Sequence, residues 1–279
     1  MNPTGIDHLM GLMKGRSWVA LTGAGMSTDS GIPDYRGPDS PRATPMQFAD
    51  FARSADNRRR YWARSYLGWI RIGRALPNAG HRALADLQQD DRLVGVITQN
   101  VDELHQLAGS ARVIDLHGRI SEVVCLDCGD VSPRALVQRR LAELNPEVRP
   151  DPVGHAGLRP DGDADVDDWA DFVVAGCLVC GGRLKPHLVF FGETVPSERV
   201  ERAYAWVDGA DVLVVLGSSL TVMSGLRFVR HHAKAAKPVV IINRGPTRGD
   251  ALATVRLDAG TSQTLQHLVA TTRSQVSTS

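Results

Sequence analysis

SWVALTGAGMSTDSGIPDYRG, residues 17–37, is the stretch on which the reading of this chain turns. An apolar run enters Gly23-Ala24-Gly25, and a buried strand leading into paired glycines and a helix start forms a phosphate cradle. Glycines let the backbone approach a ligand closely, and the N–H groups at a helix start favour an anion. A hydride-transferring dehydrogenase needs a third glycine in GxGxxG and an acidic residue about 20 positions on, at the end of a second strand. Thr28 stands where that glycine belongs, and the later region, PRATPMQF (41–48), is neither strand-like nor acidic. The loop therefore points to a nucleotide but away from ordinary hydride transfer.

Outward from the loop, strands and helices alternate. RLVGVIT (92–98) reads as a second strand, VDELHQLAG (101–109) as a short helix ended by Gly109, and ARVIDLHG (111–118) as a third strand. DVLVVLGSS (211–219) and KPVVIINRG (237–245) are continuous apolar runs, as strands buried on both faces require. GLRFVRHHAKAA (225–236) and TLQHLVATTR (264–273) carry helical periodicity. The alternation predicts an α/β fold with a doubly wound, parallel, Rossmann-like sheet. Two stretches interrupt it. Residues 38–78, rich in arginine and aromatics, read as a helical insert, and residues 120–185 as a smaller inserted module with a long Pro-, Gly- and Asp-rich loop. The sheet domain is then expected over 1–119 and 186–279.

The four cysteines fall in two C-x-x-C pairs, Cys125/Cys128 and Cys177/Cys180. With no secretory signal a disulfide framework is disfavoured. Redox-active dithiols are the main competitor, but two knuckles suit one tetrahedral zinc, structural because four sulfurs leave no open position. A net charge of +1 and 5% aromatic residues speak against direct nucleic-acid binding. No apolar run reaches the roughly 20 residues of a membrane span, and a strand begins by residue 17, so a soluble, cytoplasmic protein is expected.

Polar clusters follow the strands: Gln99-Asn100-Val101-Asp102, His117-Gly118, Gly217-Ser218-Ser219 and Asn243-Arg244-Gly245. Each alone reads as a helix cap, and His117 alone as a core histidine. Together, at the carboxyl ends of parallel strands, they mark one nucleotide-sized site.

GAGMSTDSGIPDYRG, TQNVDELH, LHG, the paired C-x-x-C, KPHLVFFGE, LGSSLTV and INRGPT, in this order from Ser17 to Leu268, resemble the sirtuin family. Tyr35, with RRRYWARSYLGW (58–69) and PNAGH (77–81), is similar to the class II branch, which includes a mitochondrial sirtuin of animals. The resemblance implies NAD-dependent removal of acyl groups from lysine side chains of proteins or peptides, giving nicotinamide, deacylated lysine and 2′-O-acyl-ADP-ribose. It implies that Asn100 and Asp102 hold the nicotinamide carboxamide and that His117 is the general base, drawing a proton from the ribose hydroxyls. Gly23, Ala24 and Gly25 would take the pyrophosphate, with Asp34, Tyr35 and Arg36 closing over NAD. Gln99, Gly217, Ser218, Ser219, Asn243 and Gly245 would complete the cofactor site. The peptide would add as a strand against Val189, Phe191, Gly192 and Glu193, recognised through its backbone. Tyr61 and Arg64 form Tyr-x-x-Arg, which in another branch reads the carboxylate of succinyl-type groups; a solvated helix face is the equal alternative for Arg64. Mono-ADP-ribosyl transfer, a non-enzymatic NAD-sensing zinc protein and a zinc-dependent nucleic-acid binder are the other readings.

Overall fold

The structure is a computed structural model that describes residues 3–35, 45–149 and 169–276. Arg36, the start of the helical insert and much of the loop between the cysteine pairs lie outside the described residues. In chain order the elements begin with α1 (Pro3–Met13), β1 (Trp18–Thr22), α2 (Phe48–Arg53), α3 (Ala55–Ile72), α4 (Ala79–Leu87), β2 (Leu93–Thr98) and α5 (Leu104–Leu107). They continue with β3 (Val113–Asp115), β4 (Gly118–Cys125), β5 (Val131–Pro133), α6 (Arg134–Leu144), β6 (Leu184–Leu188) and α7 (Ser197–Gly209). β7 (Val212–Leu216), α8 (Met223–Lys234), β8 (Val239–Ile242), β9 (Val255–Leu257) and α9 (Thr261–Val276) complete the chain.

Six parallel strands form the main sheet in the order β3-β2-β1-β7-β8-β9. The order runs outward in both directions from β1, so a crevice opens at the carboxyl ends of β1 and β7. Strand periodicity then divides the core. Trp18, Ala20, Val96, Val214 and Val240 face α1, α4 and α9, where they meet Leu9, Leu84 and Leu265. Val19, Leu21, Ile97, Val215 and Ile241 point the other way, against Val207 of α7 and Phe228 and Val229 of α8. Both faces are covered, which is why β1, β7 and β8 are apolar at almost every position. The short strand β9, which hydropathy alone does not reveal, pairs with β8 and carries the sheet one place further.

A second, antiparallel sheet is built as β5-β4-β6, with Cys125 opposite Leu184. Its core is shared with the helical insert: Phe51, Tyr61, Trp62 and Tyr66 pack with Val123, Val137, Phe172, Leu184 and Phe190. Arg134, fully buried, holds this body from within. Its guanidinium lies 5.2 Å from the Trp62 ring and 5.0 Å from the Trp69 ring and donates to the Ser65 carbonyl at 3.1 Å. A buried cation is tolerated because aromatic faces and hydrogen bonds replace its water. PNAGH forms the start of α4 as a reciprocal cap, with Asn78 accepting from the Gly80 and His81 N–H groups while its own N–H donates to His81 Nδ1.

Candidate active site

The loop after β1 turns against the end of β7. Gly217 has φ +60°, and a Cβ there would lie 2.5 Å from the Met26 nitrogen, so two backbones touch where a side chain would hold them apart. The loop and the ends of β2, β7 and β8 border a cleft of about 1180 Å³. This exceeds the usual range for a drug-sized ligand, roughly 300–1,000 Å³, and suits a dinucleotide together with a second reactant.

The cleft brings together Gly23, Ala24, Gly25, Asp34, Tyr35, Gln99, Asn100, Asp102, His117, Gly217, Ser218, Ser219, Asn243 and Gly245. Tyr61, Val189, Phe191, Gly192 and Glu193 also line it. Arg64, one turn beyond Tyr61 on α3, is half-buried and is not among the described lining residues.

Ser27 connects the glycine loop to the loop after β2. Its hydroxyl donates to Asp102 Oδ2 at 2.6 Å and accepts from Asn100 Nδ2 at 3.0 Å. The Leu104 N–H donates to the other Asp102 oxygen at 3.0 Å. Burial raises the Asp102 pKa, and these donors offset part of the rise by stabilising the carboxylate.

Gln99 crosses the floor. Its side-chain amide donates to Ser218 Oγ at 2.8 Å, and its backbone carbonyl faces His117 Nδ1 at 2.8 Å. A carbonyl oxygen only accepts, so Nδ1 carries the proton and the Nε2 lone pair is left for the Ser224 hydroxyl, 2.9 Å away. Burial lowers the His117 pKa, and the nearby guanidinium groups of Arg199 and Arg227 lower it further, while the bond to Gln99 raises it. The net result is a neutral imidazole with a fixed tautomer, the form that can take a proton. Gly118 follows with φ +84°; a Cβ there would sit 2.0 Å from the His187 carbonyl oxygen. Only glycine lets β4 start against β6 directly after the histidine.

On the opposite wall, Glu193 is committed to its own loop: it accepts from the Phe190 N–H at 2.6 Å and from Lys185 Nζ at 2.9 and 2.7 Å. Lys185 is buried beneath Phe48 and Phe190. The Phe191 carbonyl accepts from the Phe48 N–H at 2.9 Å, tying this segment to the insert. Tyr61 packs on Phe190 with ring centroids 4.9 Å apart and planes tilted by 40°, which makes the wall aromatic.

Away from the cleft, the four cysteine sulfurs lie within 4.8 Å of one another, with Cys125–Cys180 at 3.6 Å and Cys128–Cys177 at 3.8 Å. Sulfurs placed tetrahedrally at 2.3 Å from zinc are about 3.8 Å apart, so the donor set fits that ion. Backbone N–H groups of Asp127, Val179 and Gly182 point at three of the sulfurs, as charge on thiolates requires. None of the four lines the cleft, so an ion held there would serve the fold rather than the chemistry.

Ser27 and Ser224 are cleft-lining side chains, bonded to Asp102, Asn100 and His117, that the sequence does not single out. Ser27 lies inside the quoted loop, and Ser224 follows the LGSSLTV motif by two residues, but a serine carries no signal without its partner.

Strand order, glycine loop and cleft together define a Rossmann-like protein with a nucleotide-sized cleft at the switch point of its sheet. The chain belongs to the Sir2 family, whose model matches residues 23–224. A protein of Mycobacterium avium named NAD-dependent protein deacetylase 1 is 52% identical over 260 residues, 92% of each chain. One of the same name from Streptomyces coelicolor is 58% identical over 243 residues, 86% of this chain and 80% of the relative. Among solved structures, a Sir2–p53 peptide–NAD+ complex superposes with a TM-score of 0.76 at 28% identity, covering 95% of this chain and 97% of the other. A Sir2 protein bound to a propionylated peptide gives 0.75 at 27% identity with the same coverage.

Proposed function

We infer that this chain is an NAD-dependent protein-lysine deacetylase. The observation that carries the reading is His117: a neutral imidazole with its tautomer set by Gln99, in a cleft that also holds the Ser27–Asn100–Asp102 cluster. Bound NAD would supply an electrophilic ribose carbon and nicotinamide as the leaving group. Gly23, Ala24 and Gly25 are the residues that would hold the pyrophosphate, and Asn243 and Gly245 the adenosine side. Asn100 and Asp102 orient the carboxamide, held by Ser27. His117 Nε2 accepts a proton from a ribose hydroxyl, and the apolar wall excludes water from that transfer. Cys125, Cys128, Cys177 and Cys180 would hold one structural zinc.

The acyl chain is read by Ile32, Met46, Tyr61, Val101 and Phe190, an apolar lining that favours neutral groups such as acetyl. The peptide lies against Val189–Glu193 and is recognised mainly through its backbone. Tyr35 and the arginine-rich α3 support placing the chain in the class II branch, although the relatives described above are bacterial. Among the described residues no helix is long and apolar enough to cross a membrane.

Incubation with NAD and acetyl-, propionyl- and succinyl-lysine peptides tests this, with nicotinamide and deacylated peptide followed by mass spectrometry. Acetyl-lysine is expected to release both in equal amounts, and no release from any acyl peptide would overturn the reading. Arg64→Met is expected to leave the succinyl-to-acetyl ratio of kcat/KM unchanged. A charged hydrogen bond is worth roughly 1.5–3 kcal/mol, so a selective loss of about tenfold or more on succinyl peptide would bring Arg64 into the acyl site.

A further inference from the structure

Ser224 stands at the second position of α8, in its first turn, two residues after Val222 at the N-terminal cap position. It lines the cleft, and its hydroxyl is the partner of His117 Nε2 at 2.9 Å, while Nδ1 is held by Gln99 at 2.8 Å. The imidazole is thus gripped at both nitrogens, from the end of β2 on one side and from α8 on the other. Two such bonds fix rotation about the ring's last torsion, which is otherwise broad. Nε2 has one lone pair. In the resting cleft the Ser224 O–H occupies it, and a ribose hydroxyl that gives its proton to Nε2 must take the same place.

We propose that Ser224 is a positioning residue for His117: its hydroxyl caps the basic nitrogen in the resting cleft, keeps the ring aimed at the ribose site, and yields to the ribose hydroxyl. This rests on the reading of His117 as the base. No atom is transferred to Ser224; its proton stays on Oγ while the hydrogen bond changes partner.

The test compares Ser224→Val with Ser224→Thr, which share shape and β-branching and differ in the hydroxyl. In protein labelled with 15N-histidine and without NAD, the Nε2 resonance of His117 should move in Ser224→Val and return in Ser224→Thr. Loss of one neutral hydrogen bond should lower kcat about three- to tenfold in Ser224→Val, with the peptide KM changed by less than about twofold, and threonine should restore it. An unmoved resonance, an unchanged kcat or a failure of threonine to restore turnover would each overturn the proposal. His117→Ala, run in parallel, separates the two claims. If it retains turnover, the base reading itself fails; if it is inactive while Ser224→Val is fully active, only the role of Ser224 falls.

Discussion

The crevice of the main sheet and the cysteine-bearing body beside it both hold polar groups in apolar surroundings, by opposite means. In the crevice, polar side chains at strand ends satisfy one another. Thr22 and Thr98 hydroxyls meet at 2.9 Å, Ser27 bridges Asn100 and Asp102, the Gln99 side chain reaches Ser218, and the Gln99 backbone carbonyl holds His117. Their positions follow from the register of parallel strands whose cores are fully buried, so the site is arranged before any ligand arrives. The smaller body has a three-stranded sheet in which β5 has only three residues. Its order rests on four sulfurs, on Arg134 between two tryptophans and on Lys185 clamped to Glu193. A large parallel sheet can support a polar site by packing alone. A small one needs a cross-link.

The sharpest way to break this contrast is to remove the cross-link. Cys125→Ala, or chelation of zinc, is expected to unfold the cysteine-bearing body, because binding free energy at such sites is folding free energy, on the order of 10 kcal/mol. Limited proteolysis should open the chain between residues 120 and 185 while the main sheet resists. A variant that lacks stoichiometric zinc and yet keeps its full melting temperature would end the argument.

A smaller effect, confined to chemistry, is expected at the crevice. His117→Ala should retain NAD binding and folding but lose roughly 10²–10⁴-fold in turnover, the usual loss for a positioned base. Calorimetry with NAD and single-turnover kinetics check the two halves. A fall of less than about tenfold would remove His117 from the base role.

The third effect sharpens the picture of packing beneath the crevice. His81 and His105 are buried with ring centroids 4.8 Å apart, and His105 Nε2 is 3.0 Å from the Thr22 hydroxyl. Burial, helped by Arg82, pushes the His81 pKa from 6.5 down to about 4, and burial takes His105 well below its ordinary value. The folded state therefore favours neutral rings, and the unfolded chain takes up protons first as pH falls. Stability from this source is whole above about pH 6.5 and is lost progressively toward pH 4, by about 3 kcal/mol for His81. Melting temperature measured from pH 7 to pH 4 should fall less steeply in His81→Asn, whose carbonyl can still accept from the Asn78 N–H. Equal slopes in both proteins would show that the histidines are not what acid attacks.

The sequence alone determined what depends on neighbours in the chain. Continuous apolar runs marked β1, β2, β7 and β8, glycines marked the turn that borders the cleft, and two C-x-x-C pairs marked the cysteine cluster, because each of these is written within a few residues. The polar clusters after the strands were legible for the same reason. Tertiary structure decided what depends on residues far apart. Ser27 meets Asp102 across 75 positions and Ser224 meets His117 across 107, and both pairings exist only because folding brings the ends of β1, β2 and β3 and the start of α8 together. The union of the helical insert with the cysteine module, the burial of Arg134 and the tie between Lys185 and Glu193 are of the same kind. A serine or an arginine looks alike in sequence whether it caps a helix, faces water or holds a catalytic ring, since its role is set by the partner that folding brings within about 3 Å.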